Sequence, residues 1–489
     1  MAYDATEFIQ LKPVPKLNLP ELEEVDCVTP IDNQRKEYHF LCRPKETYRD
    51  GCIHCGSFDY YSHGKSTNRL VHDVSMGLTK VFIELETPRY RCNDCKSTFN
   101  HIFEEVLPNA KFTKRLLQQI KERALNEPFA SIAAEYELSI PKVKKIMIEW
   151  GRELEENRGP IIAPRILGID EKHITRKMRG VFVDIENGVL LEMTPDNRFE
   201  TVLNTVSSMQ DFDKNIQIVT MDMSKPYKSA VEVCLPGAKI VVDKYHVLAD
   251  HKRKVQASKT LVAKKLWEDV NALPAGPEKN VKSALLTRMG KNNYLFKFGT
   301  QNLASRETRA SLMAELCEEF SEINTLRLLK EGLERMYEAA DRAEAENRYH
   351  EWEEVLKTAD KNLFKPFFDM HGTMRRWKKE IFCYFDKGCR FTNATTEGMN
   401  SLIQAINSQG RGYGFEALRY KSLFYESAKL TPKRFTKQTR VFSGKKSQTF
   451  VATYRPEDYY EWVTEIIEIN PAGSKIPVLL EAIESNNFI

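Results

Sequence analysis

The sequence predicts a multidomain α/β chain in which a mixed β-sheet, interrupted by a long helical insertion, follows a small β module and a three-helix unit. Three observations predict it. Two CxxC pairs bracket short β-like runs near the N-terminus, the apolar periodicity turns helical at Thr113, and after Gly159-Pro160 a hairpin pattern gives way to apolar strands alternating with amphipathic helices. The 489 residues suit about three domains of ~150 residues, which excludes a peptide or a single small module. Hydrophobic residues are 42% and charged residues 29%, enough apolar content for most of the chain to fold. The net charge of +4 is too small to diagnose a partner, so any nucleic-acid signal must be local. No basic leader precedes an apolar core at the N-terminus, and no stretch reaches the ~18 apolar residues of a membrane span, so the expectation is cytoplasmic residence away from membranes.

Residues 1–45 are rich in Pro and charge with few periodic apolar positions, and read as an N-terminal arm with no structure assigned. Residues 46–108 set the β-like runs VFIELE and RYRC between Cys52-Ile53-His54-Cys55 and Cys92-Asn93-Asp94-Cys95. Each CxxC turn lets two sulfurs face one ion, and four thiolates at ~2.3 Å make a closed tetrahedral Zn2+ site that holds a fold and leaves no position for substrate. Redox CxxC pairs or unbound thiols are the alternatives. The other six cysteines (Cys27, Cys42, Cys234, Cys317, Cys383, Cys389) show no framework, and metal binding suits a cytosolic chain better than disulfides. His54 and His63 read as surface histidines.

Residues 109–158 carry TKRLLQQIKERALN, a break at Pro128, FASIAAEYEL, a short turn at Ser139-Ile140, and PKVKKIMIEWGREL. Three helices with a tight turn before the third form a helix-turn-helix layout, with Ser139 as cap and Pro141 in the first turn. Lys142, Lys144 and Lys145 then lie near the start of the recognition helix, where bases and phosphates are contacted. A helical trio with solvated lysines is the bland alternative.

From 159 to 248 come ILGIDEKHI, GVFVDI, the hairpin turn Glu186-Asn187-Gly188, VLLEMT, a helix, the buried strand IQIVTMD, a helix, and the buried strand AKIVVDKYHV. Residues 249–389 read as a helical insertion, in which Trp377, Phe382, Tyr384 and Phe385 read as core, a wedge against a flipped base being the alternative. Residues 390–430 return to the sheet domain through TTEGMNSLIQAI, and 431–489 form a basic, aromatic-laced tail.

Asp170 ends the predicted strand GID and Asp222 ends IQIVTMD, so both carboxylates sit at strand ends of one sheet, where such sheets place their chemistry. Glu397 falls on the first turn of a helix, with Asn400 one turn along on the same face. Converging carboxylates repel unless cations neutralise them, and Mg2+ or Mn2+ prefers such oxygen ligands. Two ions about 3.5 to 4 Å apart serve nucleotidyl transfer. Helix caps and solvated strand ends are the alternative reading of each residue. Glu171 points to the opposite face and ranks as a supporting residue, while Asp243 and His246, ending AKIVVDKYH, join the same rim to bind metal, position DNA or support the ligands.

Taken together, GIDEKHI, VTMDMSKPY, AKIVVDKYHVL, TNATTEGMNSLIQAINSQGRGYGF and the paired CxxC motifs resemble the ISL-three family of bacterial insertion-sequence DDE transposases, over about Tyr48 to Tyr425. The resemblance implies a zinc-binding N-terminal module, a helix-turn-helix and a ribonuclease H-like catalytic core. It places the catalytic and Mg2+-binding acids on Asp170, Asp222 and Glu397, the family's D-x-x-H pair on Asp243 and His246, and the insertion domain between His246 and Thr392. It implies binding of double-stranded DNA at terminal inverted repeats, hydrolysis that frees a 3'-hydroxyl, transfer of that hydroxyl to target DNA, and at least a homodimer on DNA. Arg411, Arg419, Lys421, Lys433 and Arg434, interleaved with Tyr413, Phe415, Tyr420, Phe424 and Phe435, would neutralise phosphates and stack on bases; a solvated basic face over an aromatic core is the alternative. Gln404 and Gln409 depart from the basic residues expected there. A DNA-binding regulator that has lost cleavage, or a ribonuclease H-like nuclease that does not join strands, are the competing functions.

Overall fold

The computed structural model describes residues 16–28, 37–46, 51–77, 79–106, 111–292, 295–296 and 307–425, together with the strands 448–453 and 463–468. Lys433, Arg434 and Phe435 lie outside the described residues.

The N-terminal region is built from β1 (Leu22–Val28), β2 (Glu37–Pro44), β3 (Tyr60–Ser62), β4 (Thr67–Met76), β5 (Thr79–Thr87), β6 (Arg89–Cys92) and β7 (Thr98–Asn100). They form a four-stranded sheet in the order β1-β2-β5-β4 and a small sheet in the order β3-β6-β7. Within the stretch 1–45 read as an arm without structure, the described residues 16–28 and 37–45 belong to this folded region, which corrects that reading for them. β2 alternates Phe40 and Cys42 into the core and pairs parallel to β5, while Leu17, Leu19 and Leu22 are buried beside them. The buried Glu21 carboxylate accepts the backbone amides of Glu104 and Glu105 at 2.6 and 2.7 Å, which ties this segment to the far side of the module.

Three helices follow: α1 (Lys114–Asn126), α2 (Phe129–Glu135) and α3 (Ile140–Asn157). The Thr113 hydroxyl caps α1 by accepting from the Leu116 amide at 3.2 Å, and donates to the buried Asp73 carboxylate at 2.7 Å, so the cap also joins helix to sheet. Ser139 caps α3 and Pro141 stands in its first turn, as the residue types require.

The central sheet contains β8 (Ile166–Ile174), β9 (Lys177–Asp184), β10 (Val189–Met193), β11 (Ile218–Met221) and β12 (Lys239–Val242), in the order β10-β9-β8-β11-β12. β8, β11 and β12 are parallel, and β9 and β10 are antiparallel. Gly188, with φ 65°, closes the β9–β10 turn, as Asn-Gly predicts. One face of the sheet packs on α4 (Phe199–Ser207) and α6 (Lys225–Cys234), with the short α5 (Phe212–Asn215) at its edge.

The insertion comprises α7 (Lys244–Ala272), α8 (Pro277–Lys291), α9 (Glu307–Glu319), α10 (Ser321–Met336), α11 (Arg342–Thr358), α12 (Lys365–Arg376) and α13 (Lys378–Cys383). Trp377, Phe382, Tyr384 and Phe385 are buried in its core. The long α7 starts at Lys244, so helix, not strand, carries His246, and a boundary at 248/249 would cut a continuous helix. The chain then returns through α14 (Ala394–Gln409) and α15 (Phe415–Phe424), and β13 (Gln448–Thr453) pairs antiparallel with β14 (Val463–Glu468). Among the described residues no helix is long and apolar enough to cross a membrane.

One core joins α1, α2 and α3 to β9, β10, α14 and α15. This contact corrects two expected DNA contacts. Lys421 is 1% exposed, and its amine donates to the Ala124 and Glu127 carbonyls at 2.6 and 3.0 Å, satisfying the C-terminal end of α1. Arg419 is held by Glu155 of α3 and Glu192 of β10, with Nε to Glu192 at 2.7 Å. Tyr413 and Tyr420 are likewise buried among these helices, the aromatic-core alternative, and are not free to stack on bases. Gly151 of α3 lets the Tyr420 ring approach; a Cβ there would meet its Cγ at 2.4 Å.

Lys421→Met leaves the two carbonyls without a donor, so it should destabilise the protein by about 1–3 kcal/mol while leaving the salt dependence of DNA binding unchanged. Unchanged thermal melting combined with a shallower salt slope would contradict this placement.

Candidate functional site: a four-cysteine centre and an acidic row

The two CxxC knuckles approach each other across the small sheet. Cys52 Sγ lies 3.6 Å from Cys95 Sγ, and Cys55 Sγ 3.6 Å from Cys92 Sγ. A tetrahedron with ~2.3 Å bonds has sulfurs about 3.8 Å apart, so the four thiolates fit one zinc ion. Each knuckle turns back through a residue with positive φ just after its second cysteine, Gly56 at 76° and Lys96 at 61°. The amide of each first cysteine donates to a carbonyl beyond that turn, Cys52 to Ser57 at 2.7 Å and Cys92 to Ser97 at 3.0 Å.

The acidic site follows from strand register. Ile169, Met221 and Val242 are directly paired across β8, β11 and β12. The residue that follows each of them is Asp170, Asp222 or Asp243, so three carboxylates stand in one row at the ~4.8 Å spacing of neighbouring strands. The expectation that Asp170 ends its strand is corrected: β8 runs on to Ile174 because β9 continues to pair with it, and only its other neighbour, β11, has stopped. Asp243 and His246 do not end a strand either. β12 stops at Val242, Asp243 flanks the start of α7, and His246 is on its first turn.

The ligand atoms of Asp170, Asp222 and His246 lie within 4.8 Å of one another, as do those of Asp243, His246 and Glu397. Glu397, exposed on the first turn of α14, thus meets the aspartate pair through His246. His246 Nδ1 is 3.0 Å from Asp222 Oδ2, and this contact, with the surrounding aspartates, holds the imidazole up at about 9. Burial, then the Asp222 charge, pushes the Asp170 carboxyl up to about 7, and burial raises Asp243 as well. Asn400 donates to Asp170 Oδ2 at 2.6 Å. Glu171 points to the opposite face, where Asn197 donates to it at 2.7 Å.

Buried oxygens without partners test whether cations belong here. Asp222 Oδ1, Asp243 Oδ2 and Asn400 Oδ1 are all buried and unbonded. Buried carboxylate oxygens left bare are costly, and hard divalent cations would satisfy them, so the donor set fits Mg2+ or Mn2+.

Sequence reading missed Asn393, which is fully buried at the head of α14. Its amide side chain donates to the Ile169 carbonyl at 3.2 Å and accepts from Thr220 at 2.7 Å, while its backbone N–H donates to Asp243 at 3.3 Å. This one residue therefore ties β8 and β11 through its side chain, and the start of α7 through its backbone, to the head of α14. The signal was Asn before a helix start, a capping residue type. Gly168 permits the same docking, since a Cβ there would meet Thr396 Oγ1 and Ile185 Cδ1, each at 2.5 Å.

Of the expected DNA contacts, Lys142, Lys144 and Lys145 are exposed on the first half of α3, and Arg411 is exposed in the turn after α14. The Lys144 amine lies against Gly414, in that same turn.

A mixed sheet whose parallel register aligns three aspartates, faced by a helix carrying a glutamate, is consistent with a ribonuclease H-like core. Residues 167–422 match the family model of the ISL3 transposases, and residues 49–95 match that of the zinc-finger of transposase IS204/IS1001/IS1096/IS1165. The chain belongs to the ISL3 transposase family, and its N-terminal four-cysteine module is that family's structural zinc site. No curated protein matches it.

Cys92→Ser should lose zinc, unfold the N-terminal module and weaken DNA binding; a variant with normal zinc content and normal affinity would refute the site. Gly168→Ala should lower stability by about 1–3 kcal/mol through overpacking against α14, with zinc content unaffected. A melting curve identical to wild type would show that α14 does not rest on β8 in this way.

Proposed function

We propose that the chain is the DDE transposase of a bacterial insertion sequence, which binds the element's terminal inverted repeats, cleaves DNA there and transfers the freed 3'-hydroxyl to target DNA. The observation that carries this reading is the row of Asp170 and Asp222 with bare buried oxygen beside them, facing the helix of Glu397. Asp170, Asp222 and Glu397 would hold two Mg2+ or Mn2+ ions, which when bound supply activation of the attacking oxygen and stabilisation of the leaving one.

The chain's own groups prepare that site. Asn400 fixes the Asp170 carboxylate through Oδ2, and His246 occupies Asp222 Oδ2, so the bare Oδ1 of Asp222 is the oxygen left facing a ligand. Asn393 holds the strand ends and α14 in register, which keeps the carboxylates oriented without rearrangement during reaction. α3 acts as the recognition helix of a helix-turn-helix, with Lys142, Lys144 and Lys145 on bases and phosphates and Arg411 extending the basic track. Lys421 and Arg419 instead fasten this DNA-reading unit to the catalytic core. Two ends must be brought together for joining, so the active species is at least a homodimer on DNA, working on the bacterial nucleoid in the cytoplasm.

Asp222→Asn should abolish cleavage of DNA carrying the element's ends while leaving affinity for those ends unchanged, because it removes a ligand charge and touches neither zinc nor α3. Equal loss of binding and cleavage would sink that division of labour. Wild-type protein that binds ends but never cuts would instead be a regulator, and cutting without joining would mark a nuclease.

A further inference from the structure

We propose that the tip of the β8–β9 hairpin is a further DNA-gripping element, in which Lys172, Arg176 and Lys177 neutralise backbone phosphates beside the bond to be cut. The inference rests on the transposase reading above and adds a contact surface that belongs neither to α3 nor to the carboxylates.

Strand pairing sets the geometry. Past Asp170, β8 has lost β11 and pairs only with β9, from Glu171 opposite Gly180 to Ile174 opposite Lys177, so the two strands run on as a ribbon. Side chains alternate along a strand, so Lys172 emerges on the same face as Asp170, about 7 Å further along. Lys172 is half-buried, Arg176 and Lys177 are exposed, and among the described residues none of the three forms a salt bridge. Half-buried lysines elsewhere, such as Lys121, Lys228 and Lys282, are each paired with a glutamate.

The tip also carries local penalties that packing does not explain. Thr175 and Arg176 both take positive φ, 51° and 64°, which is unfavourable for a β-branched and for a long side chain. The β9–β10 turn uses Gly188 where it needs positive φ, whereas the β8–β9 turn puts a guanidinium there. Lys172 stands directly opposite Arg179, and like charges facing each other across a ribbon repel. Strain of this kind is kept where the side chains serve a function.

The ribbon is nevertheless held in place. Ile174 is buried, and Arg179 donates to the Thr175 hydroxyl at 2.9 Å and to the Pro195 carbonyl. The Arg179 guanidinium lies 4.2 Å over the ring of Phe415, which follows Gly414, and the Lys144 amine of α3 lies against Gly414. Contacts therefore run from α3, through the turn after α14, to the hairpin. Glu171, the acid of this segment, is turned to the other face and held by Asn197. A duplex following this track from α3 to the acidic row passes the hairpin, and its phosphates are the counter-charge that the three cations lack.

The test is fluorescence anisotropy of the full-length, zinc-loaded protein on a duplex carrying the end of its element, over a range of KCl concentrations. The combined Lys172→Gln, Arg176→Gln and Lys177→Gln variant should bind more weakly. Its plot of log affinity against log salt should flatten by roughly 2.7, at about 0.9 per phosphate contact. Arg176→Gly gives the turn a residue suited to positive φ, so it should flatten the slope by about 0.9 while melting no lower than wild type. A neutral methylphosphonate linkage beside the cleavage point should weaken wild type but not Lys172→Gln; equal weakening of both would overturn the assignment of Lys172. Wild-type slopes in the combined and Arg176 variants would overturn the hairpin contact while leaving the transposase reading intact. A wild type that binds this duplex no better than an unrelated one would overturn that reading itself.

Discussion

The parallel register of β8, β11 and β12 is the constraint on which the centre of this protein depends. Because Ile169, Met221 and Val242 are paired, the residues that follow them fall side by side, and all three are aspartates. Like charges at strand spacing repel, and burial adds to the penalty, which is why Asp170 is pushed up to about 7 and why His246 takes up an ion pair with Asp222. A sheet that served only as a scaffold would not align three carboxylates in this way. The arrangement is stable when positive charge is supplied, and the chain supplies one imidazole for three aspartates and a glutamate.

Everything around the row fixes its geometry. Asn393 bonds to two strands and to Asp243 from the head of α14, Gly168 leaves room for that helix, and the sequence-distant Glu397 reaches the site because of both. The insertion begins directly on the rim, since α7 carries His246 on its first turn and then runs on into the helical core. On the other side, the three-helix unit shares a core with α14 and α15, so the elements proposed to read DNA and those proposed to cut it are packed as one body. Lys421 and Arg419 spend their charge on that joint: one satisfies the end of α1, and the other pairs with acids of α3 and β10.

Much of this was legible from local pattern. The Asn-Gly hairpin, the Ser139 cap, the strands ending near Asp222 and Asp243 and the helix beginning before Glu397 all follow from turn chemistry and periodicity. What escaped is non-local. β2 pairs with β5, some 40 residues on, through a parallel register that no short-range signal announces, so the N-terminal residues read as an arm. Whether a lysine faces DNA or caps a distant helix is decided by tertiary packing, and Lys421 looks in sequence like any other basic residue of its segment. Asn393 carries a capping signature, but its role depends on which strands lie beside that helix. The length of β8 past Asp170 was set by its pairing with β9, and not by its own residues.

The most direct measurement is anomalous diffraction from crystals of the zinc-bound protein soaked in Mn2+. The account predicts a Mn2+ peak against the carboxylates of Asp170 and Asp222, at the oxygens that are buried and bare. Zinc density at the four cysteines with no Mn2+ at the aspartate row would contradict it.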